Sequence, residues 1–362
     1  MDYNVEIKEK LNKLLFLEID WEKFKKNVNI DEKIKLNTKD AYIPISSKYV
    51  ADNANDIIKI TNLPIYYLIE GMLIALGADR DIKYKVDYII ILNNIKGSEE
   101  CGKSLVAKSV KEDDLLEAYV LLKGLYEATQ NEEYYKKILL VGETIREKDS
   151  GFSDILSKDC NYGKKEFPNM AEPYLYNALV LKQKDNYQGA KVEINEYIAK
   201  GGEVSKEIEN IINDINNISK YEKAVEDLDK EPKKSLKTFL SLVDEFDKNP
   251  LLYYYLGVCY RKLQDYDKAI YYLSESLRLE SGILEVVNEL GLNYACLGNY
   301  HEALKYFKKA FEASKELEIC TNIVMCYINI GDIKQAKLNL EIAKKINPQD
   351  DVVCKLDRML SD

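Results

Sequence analysis

The sequence predicts an all-α protein: a right-handed α-solenoid of about six or seven helical hairpins, with a less regular helical region towards its N-terminal end. Three observations carry that expectation. Residues of the last third recur at a constant spacing, which is the length of one helix-turn-helix unit. Upstream, amphipathic patterns come in pairs separated by short polar turns. Finally, no succession of short buried strands is legible that would build a sheet.

The recurrence is seen by placing "LLYYYLGVCYRKLQDYDKAIYYLSESLRLES" over "LEVVNELGLNYACLGNYHEALKYFKKAFEAS". Leu256-Gly257 returns as Leu290-Gly291, Tyr260 as Tyr294, Tyr266 as Tyr300 and Ala269 as Ala303, all with one common offset. A third copy places Tyr327, Gly331, Ala336, Leu340 and Ala343 at a slightly shorter common offset from Tyr294, Gly298, Ala303, Phe307 and Ala310. In the first copy the small Gly257 admits a neighbouring helix, while Leu256 and Tyr260 share one helical face a turn apart. Such a hairpin has an apolar face that only the next hairpin can cover. The final "DVVCKLDRMLSD" fits an amphipathic cap, with Val353, Leu356 and Leu360 turned inward.

With these residues, the stretch 250–350 resembles the tetratricopeptide repeat, whose pattern runs W-x-x-L-G-x-x-Y, then A-x-x-x-F, then P, with a period of about 34 residues. Tyr253 and Val287 replace the usual aromatic start, and Cys320 and Val324 depart from the pattern in the third copy. The expected division is a mostly helical region 1–110 with a degenerate hairpin at 64–96, degenerate hairpins over 111–218, and an array over 219–362. The clear repeats are 250–283, 284–316 and 317–350, with a capping helix at 351–362.

Upstream of the array, "PYLYNALVLKQKDNYQGAKVEINEYIAKGG" fits the same template loosely through Tyr174, Ala178, Leu181, Tyr187, Ala190 and Ile194. Residues 113–147 form a hairpin broken at "TQNEE", with stripes Leu115, Ala118, Leu122, Leu125 and Tyr135, Ile138, Leu139, Ile145. Gly163 and Pro168 mark a loop in "KDCNYGKKEFPNM", and "SLKTFLSLVDEF" reads as a helix running towards Pro250. The apolar "LPIYYLIEGMLIALG" is shorter than the roughly 20 residues a membrane span requires and reads as a buried helix. In the N-terminal region "VEIKEKLNKLLFLEI" reads as helical and "LNTKDAYIPIS" as extended.

"GSEECGKS" matches the phosphate-loop template at Gly97, Gly102, Lys103 and Ser104. Such a loop needs a strand leading into its first glycine within a parallel sheet. Here "NNIK" separates the apolar "VDYIIIL" from Gly97, and Glu99 and Glu100 would stand inside the phosphate cradle. The alternative reading is a helix junction, with Gly97 as C-cap, Ser98 as N-cap and both glutamates in a first turn.

The remaining chemistry points away from catalysis. The only histidine, His301, opens a repeat helix, and the seven cysteines contain no C-x-x-C pair. Hence no nucleophilic triad, metal or cofactor is expected. The net charge of -10 and the absence of a basic cluster argue against nucleic acid and anionic membrane as partners. A helix-turn-helix over "VADNANDIIKITNLPIYYLIEG" would offer an apolar recognition helix without Arg. The opening "MDYNVEIKEK" has no secretory pattern, so a cytoplasmic location is expected.

The resemblance implies a protein- or peptide-binding scaffold whose first helices line a groove. The groove positions are Tyr254, Val258 and Arg261, then Asn288 and Leu292, then Thr321 and Met325. Relatives that clamp a terminal carboxylate use Lys, Asn and Arg there, so that ligand is not expected. The competing expectations are a peptide-responsive regulator and a nucleotide enzyme using Lys103.

Overall fold

The computed structural model describes residues 2–38, 41–52 and 64–361. Residues 53–63 of the candidate helix-turn-helix at 50–71 lie outside them. The chain divides into two compact units, Met1–Ile212 and Asn213–Asp362.

The first unit opens with α1 (Tyr3–Asn12), capped by Asp2, followed by β1 (Leu14–Ile19), α2 (Trp21–Val28), β2 (Ala41–Ser46) and α3 (Ser47–Asp52). The single helix expected over "VEIKEKLNKLLFLEI" is therefore corrected: it ends at Asn12, and Leu14–Ile19 is a strand. β1 pairs antiparallel with β2, Leu14 opposite Ser46 and Ile19 opposite Ala41. Pairing partners so far along the chain override local helical preference. Ile43 and Ile45 of β2 are fully buried.

The core of this unit is built on α4 (Ile65–Ala78), in which every residue from Leu68 is buried except Glu70. Gly71 makes that burial possible, because a Cβ there would stand 2.0 Å from the Pro44 carbonyl oxygen of β2. The buried-helix reading of this stretch holds, and among the described residues no helix is long and apolar enough to cross a membrane. Then come α5 (Lys85–Asn94), α6 (Ser98–Lys111), α7 (Leu115–Thr129), α8 (Glu132–Lys148), α9 (Ser153–Glu166), α10 (Glu172–Gln183) and α11 (Tyr187–Ala199). The stripes expected on the α7/α8 hairpin are buried, with Leu115 partly so. The loop expected around Gly163 is corrected. α9 runs through it, since Gly163 lies against Tyr135 and Pro173, and the connection is confined to residues 167–171.

Residues of α12 (Lys206–Asp227) from Asn213 onward begin the second unit. α13 (Pro232–Leu240) follows, shorter than its sequence pattern suggests, and turns occupy the residues before Asn249. Thereafter the unit is a run of hairpins: α14 (Pro250–Lys262) with α15 (Tyr266–Leu279), α16 (Leu284–Cys296) with α17 (Tyr300–Ser314), and α18 (Leu317–Ile330) with α19 (Ile333–Ile346). α20 (Asp351–Ser361) closes it, burying Val353, Leu356 and Leu360 as the sequence predicts.

One turn device serves all three hairpins. A residue with positive φ (Gln264, Gly298, Gly331) precedes an Asp or Asn whose side chain caps the second helix, accepting from Lys268, Glu302 and Gln335 N–H respectively. That capping residue's own N–H donates back to Tyr260, Tyr294 or Tyr327 C=O at 2.9, 2.9 and 3.0 Å. The α10/α11 hairpin repeats the device: Asp185 has φ 55°, Asn186 accepts from Gly189 N–H, and Asn186 N–H donates to Leu181 C=O at 2.9 Å. The loosely matching sequence thus folds with the same local hydrogen bonding as the clear copies.

In the first two hairpins the small position receives a side chain of the second helix. A Cβ on Gly257 would meet Leu273 Cγ at 2.5 Å, and one on Gly291 would meet Phe307 Cε1 at 2.6 Å. Tyr260 stacks on Tyr272 at 5.3 Å between centroids, and Tyr294 on Tyr306 at 5.5 Å.

Candidate functional site

The phosphate-loop match can be judged from geometry. Ser98 to Ser104 lie within α6 and Gly97, with φ 82°, immediately precedes it, so the eight residues form no loop. Lys103 Nζ pairs with Glu99 Oε1 at 2.9 Å on an exposed face. The Ser104 hydroxyl donates to Glu100 C=O at 3.0 Å, and Gly102 is buried against Leu73 and Leu125. A cavity of about 200 Å³ does reach Gly97 and Ser98, but Glu99 and Glu100 line it too. The element before it is a helix rather than a strand. Residues 97–104 therefore do not form a phosphate loop. The junction reading holds with two corrections: Ile95 rather than Gly97 is the C-cap of α5, Gly97 being the N-cap of α6, and Ser98 is the first helical residue, its side chain capping nothing.

The groove positions fall on α14, α16 and α18, the first helices of the three hairpins, and differ in what they touch. Val258 and Thr321 are buried, and the Thr321 hydroxyl bonds back to Glu318 C=O at 2.8 Å. Leu292 packs, half-buried, against the core of the last hairpins. Arg261 is engaged: its Nε and Nη2 donate to Glu289 Oε2 and Oε1 at 2.6 and 3.1 Å, joining α14 to α16. Tyr254, also half-buried, packs against the cores on both sides of it, and burial followed by the nearby Glu289 charge pushes its hydroxyl up to about 12. Asn288 is half-buried, its Oδ1 buried without a partner, and Met325 is 39% exposed.

Glu289, buried and acidic, is the residue that sequence reasoning missed. Its signal was an Arg and a Glu on the first helices of successive repeats. Asn322, next to Thr321, was missed as well; its Nδ2 is buried without a hydrogen bond. Side-chain amides of Asn288, Asn293 and Asn322 thus each keep one unpaired atom along these first helices, where buried polar atoms are ordinarily satisfied.

Family models described as tetratricopeptide repeat match residues 250–316 and 317–350. Residues 250–350 are a tetratricopeptide repeat array. No curated protein matches the chain. Among solved structures, YrrB, described as a tetratricopeptide repeat protein with an unusual peptide-binding site, is 16% identical, over 70% of this chain and 97% of that one, with a TM-score of 0.29. A tetratricopeptide repeat protein of Parabacteroides merdae is 12% identical over 73% and 99%, with a TM-score of 0.35. A thermophilic one of Thermus thermophilus is 16% identical over 63% and 100%, with a TM-score of 0.31. These likenesses reach no further than the repeat fold.

Proposed function

We propose that this tetratricopeptide repeat protein is a non-catalytic scaffold that binds a protein or peptide partner along the first helices of its three hairpins. The observation that carries this reading is a difference between equivalent positions. Val258, Arg261 and Thr321 are taken up by packing and pairing, whereas Tyr254 and Asn288, which occupy the same place in consecutive repeats, stay half-exposed, and Met325 is exposed. An aromatic ring, an amide and an apolar chain in a row suit an extended polypeptide, which offers both backbone amides and side chains. Since Glu289 already neutralises Arg261, a partner's terminal carboxylate finds no free cation among these positions.

The test is to pan a displayed peptide library on the full chain and measure the best binder by fluorescence anisotropy. Tyr254→Ala with Asn288→Ala is expected to weaken that binder by at least about tenfold, or ~1.4 kcal/mol, with helicity unchanged by circular dichroism. Equal affinity in the double variant would move the site off these helices.

A further inference from the structure

Within the first unit, α1, the end of α4, α7 and α9 enclose a cavity of about 260 Å³. Four cations line it, Lys8, Arg80, Lys123 and Lys158, against the single carboxylate of Asp159. This local balance is opposite in sign to the chain's net charge of -10.

The carboxylate is already committed. Asp159 Oδ2 accepts from the Tyr119 hydroxyl, and its Oδ1 faces Lys123 Nζ at 3.4 Å. Lys8 and Lys158 are exposed and lie within ion-pair distance of no carboxylate among the described residues. Arg80 is positioned by stacking, its Cζ 4.3 Å from the Tyr162 ring centre. Its Nε is buried without a hydrogen bond, 3.5 Å from Glu127 Oε1, while Glu127 Oε2 pairs with Lys85 at 2.7 Å. The cavity therefore joins the ammonium groups of Lys8 and Lys158, unpaired among the described residues, to a guanidinium held in place by Tyr162 and Glu127. Phosphate dianions match that combination, with a fork of N–H donors and ammonium groups around one centre.

We propose that this cavity binds the phosphate group of a small phosphomonoester. Lys8 and Lys158, the two cations without a carboxylate partner among the described residues, hold the phosphate, and Arg80 and Lys123 add positive charge from the walls. Ile7 and Ile155, also in the lining, give the organic part of the ester an apolar wall that free phosphate does not use.

Isothermal titration of the full chain with glycerol 2-phosphate and, separately, inorganic phosphate tests this. Saturable binding of the ester is expected, weakening as salt is raised. In K8E/K158E the affinity is expected to fall by at least about tenfold, since each reversal replaces an attraction by a repulsion. Tighter binding of the ester than of inorganic phosphate supports the ester; equal binding overturns the ester and assigns the site to inorganic phosphate. If K8E/K158E does not fold, Lys158→Gln alone gives the same reading with a smaller loss. Unchanged affinity in a folded variant, or no saturable heat from either ligand by roughly 10 mM, overturns the proposal.

Discussion

Arg261 of α14 grips Glu289 of α16 through two hydrogen bonds of 2.6 and 3.1 Å, tying the first helix of one repeat to the first helix of the next. The glutamate is buried and the arginine partly so. Removing either partner strands the other in a poorly solvated place, whereas removing both leaves no uncompensated charge. Arg261→Ala and Glu289→Ala are each expected to cost about 1–3 kcal/mol in urea unfolding, the partial exposure of Arg261 keeping the loss below that of a fully buried pair. The double variant should lose less than the sum. A strictly additive cycle would show that the pair contributes nothing of its own.

The small residues inside the hairpins give a second prediction. Gly257→Ala would bring a Cβ to 2.5 Å from Leu273 Cγ, forcing α14 and α15 apart, whereas the same change at Gly282 meets nothing within 4 Å. Gly257→Ala is expected to destabilise by about 1–3 kcal/mol and Gly282→Ala to stay within about 0.5 kcal/mol. Thermal melts of the two variants, side by side, decide it.

Lys103 should prove to be an ordinary surface lysine. Its partner Glu99 sits one turn earlier on an exposed face of α6, and exposed pairs of that spacing contribute little to stability because solvent screens them. Lys103→Ala is expected to leave the urea midpoint and peptide binding unchanged. ATP or GTP hydrolysis that disappears in this variant would restore the phosphate-loop reading.

Alkaline stability follows from the tyrosines. Burial is the largest cause that pushes the hydroxyls of Tyr66, Tyr134, Tyr176 and Tyr254 up to about 12, from an ordinary value of 10.0. Folding thus favours their protonated form. Their contribution is fully present below pH 10, where the unfolded chain also keeps its protons, and is lost as pH rises from 10 towards about 12. Tyrosinate absorbance of the native chain should lag that of the urea-unfolded chain across this window, with urea midpoints falling over the same range. Superimposed titration curves would contradict the burial described for these side chains.

Most of the second unit was legible because its rules are local. Gly257, Ala269 and Leu273 sit at spacings that one hairpin dictates, and Gly298-Asn299 or Gly331-Asp332 spells out a left-handed residue followed by a cap. The first unit was less legible where its structure depends on distant residues. Nothing near Leu14–Ile19 announces a strand; its pairing partner begins at Ala41, and Gly71 of α4 approaches the backbone of that partner strand. Likewise Gly163 reads as a breaker until Tyr135 and Pro173 are seen filling the space beside it.

The sequence by itself determined that this chain is a helical repeat protein, where its hairpins turn and which faces they bury, because a recurring pattern encodes packing that each unit repeats with its neighbour. Only the tertiary structure decided how the groove positions divide: Arg261 consumed by Glu289, Val258 and Thr321 buried, Tyr254 and Asn288 left half-exposed. It also decided that Lys8, Arg80, Lys123 and Lys158, far apart along the chain, meet around one cavity. Spacing within a helix fixes which residues share a face, but which side chains find a counter-charge depends on elements that meet only when the chain has folded.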